Sequence, residues 1–82
     1  MKIVWDEPKR EANVGKHGLD FATLTAEFFE AAFVEDAKQG RYIAIGELNG
    51  VMIVAVVFRP LGSEALSVIS MRRASKIERS RL

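Results

Sequence analysis

The chain has 82 residues, 49% of them apolar and none cysteine, with twelve Lys or Arg against eleven Asp or Glu and a single histidine. That size suits one compact domain, 1–82, with a thin core to which a permanent partner could add stability. Disulfides, thiolate metal sites and thiol catalysis are excluded, and a lone histidine leaves no HExxH or paired-His spacing for zinc.

Charge is unevenly placed: Met71 to Leu82 carry Arg72, Arg73, Lys76, Arg79 and Arg81 against Glu78 alone, so a basic end follows an acidic body. A positive patch of this kind attracts nucleic acid or an acidic protein partner, and the same charges also suit a solvated terminal helix. The longest apolar stretch, Val51 to Phe58, is too short for a membrane helix, so the expectation is a cytoplasmic protein with no membrane contact.

Lys2 to Trp5 reads as a first strand. Asp6 is placed to cap a helix with Pro8 in its first turn, and that helix runs to about Lys16, where Gly18 can close it in the left-handed conformation. A second helix is expected from the N-cap Asp20, with Leu19 stapled to Leu24 and with Phe21, Leu24, Phe28 and Ala32 as an apolar core face. Glu35 to Gly40 reads as a polar connection, after which the period becomes alternating and Arg41 to Leu48 is strand. Asn49-Gly50 predicts a two-residue type I′ turn, because both positions tolerate positive φ. Val51 to Phe58 is then a central strand ended by Pro60 and Gly62, and Ala65 to Met71 is a further strand. Ser75 and Glu78 stand at capping-box spacing and open a short terminal helix. The expected fold is α+β: strand, helix, helix, a three-stranded antiparallel meander, and a C-terminal helix. The two helices should cover one sheet face and leave the other as a shallow concave surface.

Without metal or thiol, this inventory best supports RNA cleavage by the substrate's own 2′-hydroxyl, which needs a base, an acid and cations for the phosphorane. Histidine is the side chain whose ordinary pKa lies near neutrality, which makes His17 the proton-transfer candidate. Arg72 and Arg73 can grip phosphate oxygens in a bidentate fork, and Lys16, Arg41 and Tyr42 contribute if the fold brings them near. Two plainer readings stand beside these: His17 as a helix-terminal residue bonded to carbonyls, and the arginines as solvated surface. Adjacent arginines on a strand alternate faces, so at least one of the pair points inward or toward a neighbour. Glu27, Glu30, Glu35 and Asp36 match no calcium loop and read as a solvated face. Sequence-specific DNA binding by the short terminal helix is weakly supported, since only Arg79 and Arg81 could reach base edges.

Taken in order, Trp5-Asp6-Glu7-Pro8-Lys9, Asn13, Lys16-His17-Gly18, Phe21, Arg41 to Gly46, Ile69 to Ala74 and Glu78-Arg79 resemble the BrnT-type toxins of bacterial type II toxin–antitoxin modules over residues 3 to 79. The resemblance implies a RelE-like fold, a ribonuclease activity that arrests translation, and an antitoxin, usually a ribbon-helix-helix protein, through which alone the complex meets DNA; with the residue inventory above, the expectation is an endoribonuclease without a cofactor. It adds weight to Lys16, His17, Arg72 and Arg73 as RNA-contacting or catalytic residues. The expected site is then His17, Arg72 and Arg73 as catalytic residues, with Lys16, Arg41, Tyr42 and Arg79 binding substrate. Phe58, Leu61, Ala65 and Ser67 depart from the polar or basic residues many members carry there. Those departures leave a second reading open, a non-catalytic module that assembles with its antitoxin for transcriptional autoregulation.

Overall fold

The computed structural model describes residues Met1–Leu82. Along the chain run β1 (Lys2–Trp5), α1 (Glu7–His17), a 3-10 turn (Phe21–Thr23), α2 (Ala26–Ala31), β2 (Phe33–Lys38), β3 (Arg41–Leu48), β4 (Met52–Leu61), β5 (Ala65–Arg73) and α3 (Lys76–Arg79). The strands form one sheet in the order β1-β5-β4-β3-β2. β2 through β5 are successively antiparallel, and β1 lies parallel beside β5, with Lys2 opposite Ala65 and Trp5 opposite Val68. The meander therefore has four strands rather than three, and the class is α+β with a mixed sheet.

Several local readings are corrected, among them the β3–β4 turn, where the ladder begins with Leu48 opposite Met52 and so leaves three residues rather than two between the strands. Asp20 does cap, accepting a hydrogen bond from the Ala22 amide, but it caps only the 3-10 turn. Leu24 and Thr25 are extended, and Thr25 restarts the helix as α2 by accepting from the Phe28 amide at 3.2 Å. A threonine hydroxyl that can hold a free helix amide competes with continuation of the helix through it. The segment read as a polar connection is largely the second half of β2, an edge strand whose Glu35 and Asp36 disguise it; charge is a common way to protect an exposed edge. β4 runs through Pro60 to Leu61 rather than ending before it. At the start of α1, Asp6 occupies the N-cap without a side-chain cap bond, while Pro8 sits in the first turn as expected.

The sheet has two unlike faces. Phe21, Leu24, Phe28 and Phe29 from the 3-10 turn and α2 pack on Ala44, Leu48, Val54, Val56, Phe58, Leu66, Val68 and Met71, which makes the main core. Phe29 links this aromatic group edge-on to Phe28 at 5.2 Å and to Phe58 at 5.4 Å between ring centroids. On the opposite face only Ile45, Ala55 and Ala74 form a small buried cluster, with Ala74 bringing α3 over one end. Ile43 and Ile53 pack against that cluster, and Arg41, Arg59, Ser67, Ser70 and Arg72 add a polar and cationic part to the same face, on which the candidate site lies. No helix of the molecule is long and apolar enough to cross a membrane.

Candidate functional site

α1 does not lie on the sheet but closes its edge. Beyond Trp5, where β1 stops pairing, the buried Asn13 takes over: its Oδ1 accepts from the Met71 amide at 3.0 Å, and its Nδ2 donates to the carbonyls of Met71 and Leu19, each at 2.9 Å. One side-chain amide thus satisfies both backbone groups of a β5 residue, as a neighbouring strand would. Gly18, at φ 70°, then ends the helix and donates its amide to the Val14 carbonyl, which fixes the His17 corner. Lys9, Asn13, Lys16 and His17 fall at i, i+4, i+7 and i+8, one helix face. Together with Ser70 and Ile69 of β5 they line an open hollow of about 210 Å³ that contains no carboxylate.

A second hollow of about 210 Å³ adjoins it, sharing Lys9 and Ile69 and lined further by Arg41, Arg59, Leu61 and Ser67. Ser67 and Ser70 sit on either side of a bulge in β5, so both lie on the sheet face away from the main core. Arg72 pairs with Ala55 in the register and projects from the same open face two residues beyond Ser70. It is engaged by Glu78, whose two carboxylate oxygens accept from its Nη1 at 2.7 Å and its Nη2 at 2.9 Å. Glu78 also accepts from the Ser75 amide while Ser75 Oγ accepts from the Glu78 amide, so the anticipated capping box forms and locks α3 onto Arg72. Arg81 reaches across to Glu35 of β2 at 3.0 Å.

The other sequence candidates lie elsewhere. Arg73 and Arg79 share a hollow of about 350 Å³ beside the β3–β4 turn with Glu47, Val51 and Ile53, and neither lines the His17 hollow. Tyr42, adjacent to Arg41 on a strand, faces the other way and tilts over Phe58 at 5.9 Å between ring centroids. No group of three His, Asp or Glu side chains is placed to hold a metal ion.

The Arg72–Glu78 pair gives a measurable acid response. Hydrogen bonding to Arg72, with a smaller contribution from Ser75, holds the Glu78 carboxyl at about 2 instead of its ordinary 4.5, and the same pairing raises Arg72. A carboxyl with a depressed folded pKa contributes stability that is complete above its unfolded value and is lost as pH falls through the folded one. Thermal unfolding followed between pH 5 and about 2 should therefore show Glu78→Gln, less stable at neutral pH by about 1 kcal/mol, converging on the parent protein in acid.

The family described as the ribonuclease toxin BrnT of type II toxin–antitoxin systems matches residues 5–78. This chain belongs to the BrnT family. Its fold is also that of the Brucella abortus ribonuclease toxin BrnT: the two share 64% identity and superpose with a TM-score of 0.88 over 93% of this chain and 99% of that one. No curated protein matches the chain. Within the BrnT frame, the departures noted in the sequence divide by position. Phe58 is buried in the main core, while Leu61 and Ser67 line the Arg41–Arg59 hollow, and Ala65 lies opposite Leu61. Lys9 and Arg59, which sequence reading did not single out as functional, are the cations that complete the open face. Lys9 had a signal in its helical spacing from Asn13, Lys16 and His17.

Proposed function

We propose that the open sheet face is the RNA-cleaving surface of a BrnT toxin, working without a metal or other cofactor through attack by the substrate's own 2′-hydroxyl. The observation that carries this reading is the hollow in which His17 stands beside Lys16, Lys9 and Ser70 with no acidic side chain to compete for a phosphate. His17 exchanges a proton with the 2′-oxygen or the leaving 5′-oxygen, and Lys16 and Lys9 offset the charge that grows on the phosphate. The P–O5′ bond breaks as the P–O2′ bond forms, leaving a 2′,3′-cyclic phosphate and a 5′-hydroxyl. Arg72, on the same face, joins the phosphate when it exchanges the Glu78 carboxylate for phosphate oxygens, an equivalent bidentate partner.

In this reading the 82 residues act as one BrnT domain of RelE-like type in the cytoplasm, arresting translation until a ribbon-helix-helix antitoxin binds. Arg41 contacts RNA, while Tyr42 lies on the other face and is left to packing. Arg73, Arg79 and the exposed Val51 suit an antitoxin segment of mixed acidic and apolar character, because two cations there flank an uncovered apolar side chain. DNA is met only through that antitoxin.

The test is cleavage of a defined single-stranded RNA by the purified protein in the presence of EDTA, with the product ends identified. Cyclic phosphate termini formed under chelation are the expected result. Intact RNA, combined with tight and salt-sensitive binding of the antitoxin, would favour the non-catalytic module.

A further inference from the structure

The hollow next to His17 is electrostatically anomalous. β3 and β4 pair with Tyr42 opposite Phe58, so one residue further along the ladder Arg41 and Arg59 stand on neighbouring strands of the same face. Arg59 in turn lies opposite Ser67 on β5. Like charges on adjacent strands destabilise a sheet, and proteins ordinarily relieve them with a carboxylate. None is present: Lys9 is the third charged residue lining the hollow, and Lys9, Arg41 and Arg59 enter none of the ion pairs in the molecule. The Arg41 Nε is moreover buried without any hydrogen-bond partner, the one side-chain polar atom in the protein of which this is true. A buried donor left without a partner costs free energy, so this arginine is held in place at a cost. Three cations and a serine hydroxyl around one hollow call for an anion with several acceptor oxygens.

The position of this hollow selects the anion. It shares Lys9 and Ile69 with the His17 hollow, so the two form a continuous track along β5. Residues two apart on one strand face are about 7 Å apart, close to a single step of an extended nucleic-acid backbone. An acidic protein segment would require no such continuity with the proton-transfer residue. We propose that Arg41, Arg59 and Lys9 form a phosphate subsite that holds single-stranded RNA one backbone step away from the phosphodiester presented to His17. The proposal rests on the nuclease reading for the direction of the strand, but its binding chemistry can be measured independently of cleavage.

The probe is a fluorescein-labelled oligonucleotide whose 2′-oxygens are all methylated, so that it cannot be cut, titrated against the full chain over a range of KCl concentrations. Removing one cation that neutralises a phosphate should lower the slope of log Kobs against log salt by about 0.7 for a single strand. Arg59→Gln and Arg41→Gln are each expected to show that decrease, and Lys76→Gln, an exposed change on α3 that lines neither hollow, should not. Arg59 is exposed, so its variant keeps the fold even if the half-buried Arg41 variant does not. Unchanged slopes in the folded Arg59→Gln protein would overturn the subsite. So would a polyglutamate peptide that displaces the oligonucleotide at equal concentration, since that would assign the hollow to an acidic protein segment. Slopes that depend on Arg41 and Arg59 in a protein that cuts no RNA would uphold the subsite while rejecting the nuclease reading.

Discussion

Replacing His17 with Ala should abolish RNA cleavage almost completely while leaving the protein folded. General acid–base catalysis by a positioned side chain contributes roughly 10²–10⁴-fold, and a loss in that range is the expected effect on the cleavage rate. His17 is the cleanest residue on which to test the nuclease reading because it is exposed and enters no side-chain hydrogen bond or ion pair. Its removal should alter stability by no more than about 0.5 kcal/mol, the usual scale for surface substitutions. Arg72→Ala is a poorer first test. It would strand the Glu78 carboxylate and loosen α3, so lost activity would have two explanations. In cells, induced expression of the parent chain should arrest growth and the His17→Ala chain should not. Cleavage at the parental rate by folded His17→Ala protein would remove His17 from the chemistry and shift attention to Lys16 and Lys9.

Much of the fold was legible because its signals are local. Lys2 to Trp5, the first helix with Pro8 in its opening turn and Gly18 at its end, and the Ser75–Glu78 capping box each depend on neighbours within a few residues. What could not be read depends on pairing between distant segments. The β3–β4 turn has positive φ at Asn49 and Gly50, as the dipeptide requires, yet the ladder starts with Leu48 opposite Met52, leaving Val51 unpaired and 79% exposed. A two-residue hairpin would have paired Leu48 with Val51. That one-residue difference decides which side chains meet, since a register slip exchanges the two faces of a strand. It is the reason Arg41 and Arg59 become neighbours, and neither residue type nor spacing announces it. The alternation of Arg72 and Arg73 was legible, and it does separate them: one projects beside Ser70, the other lines the hollow near the β3–β4 turn. The identity of Arg72's partner was hidden by a different ambiguity, because Glu78 at capping-box spacing explains itself locally and gives no hint that it also holds an arginine from the preceding strand.

The residue on which both fold and site depend is Asn13, and its loss should be the costliest single change to stability. Asn13→Leu keeps a side chain of similar size but leaves the Met71 amide, the Met71 carbonyl and the Leu19 carbonyl without their partner in a site only 6% exposed. Each stranded buried group costs about 1–3 kcal/mol, so a loss of about 3 kcal/mol is a conservative expectation. For a domain of this length that corresponds to a fall in Tm of roughly 15 °C, measurable by calorimetry or circular dichroism. Asn13→Asp sharpens the test. Its carboxylate can still accept from the Met71 amide, but it turns its second oxygen toward two carbonyls and carries a buried charge, which raises its pKa in the folded state. A raised folded pKa contributes stability below the unfolded value that is lost as pH rises, so Asn13→Asp should recover toward the parent protein as pH falls to about 4. Asn13→Leu should show no such recovery. If both variants unfolded at the parental temperature, the side-chain bridge between α1 and β5 would have no energetic role. The geometry of Lys16 and His17, one turn further along the same helix, would then need another anchor.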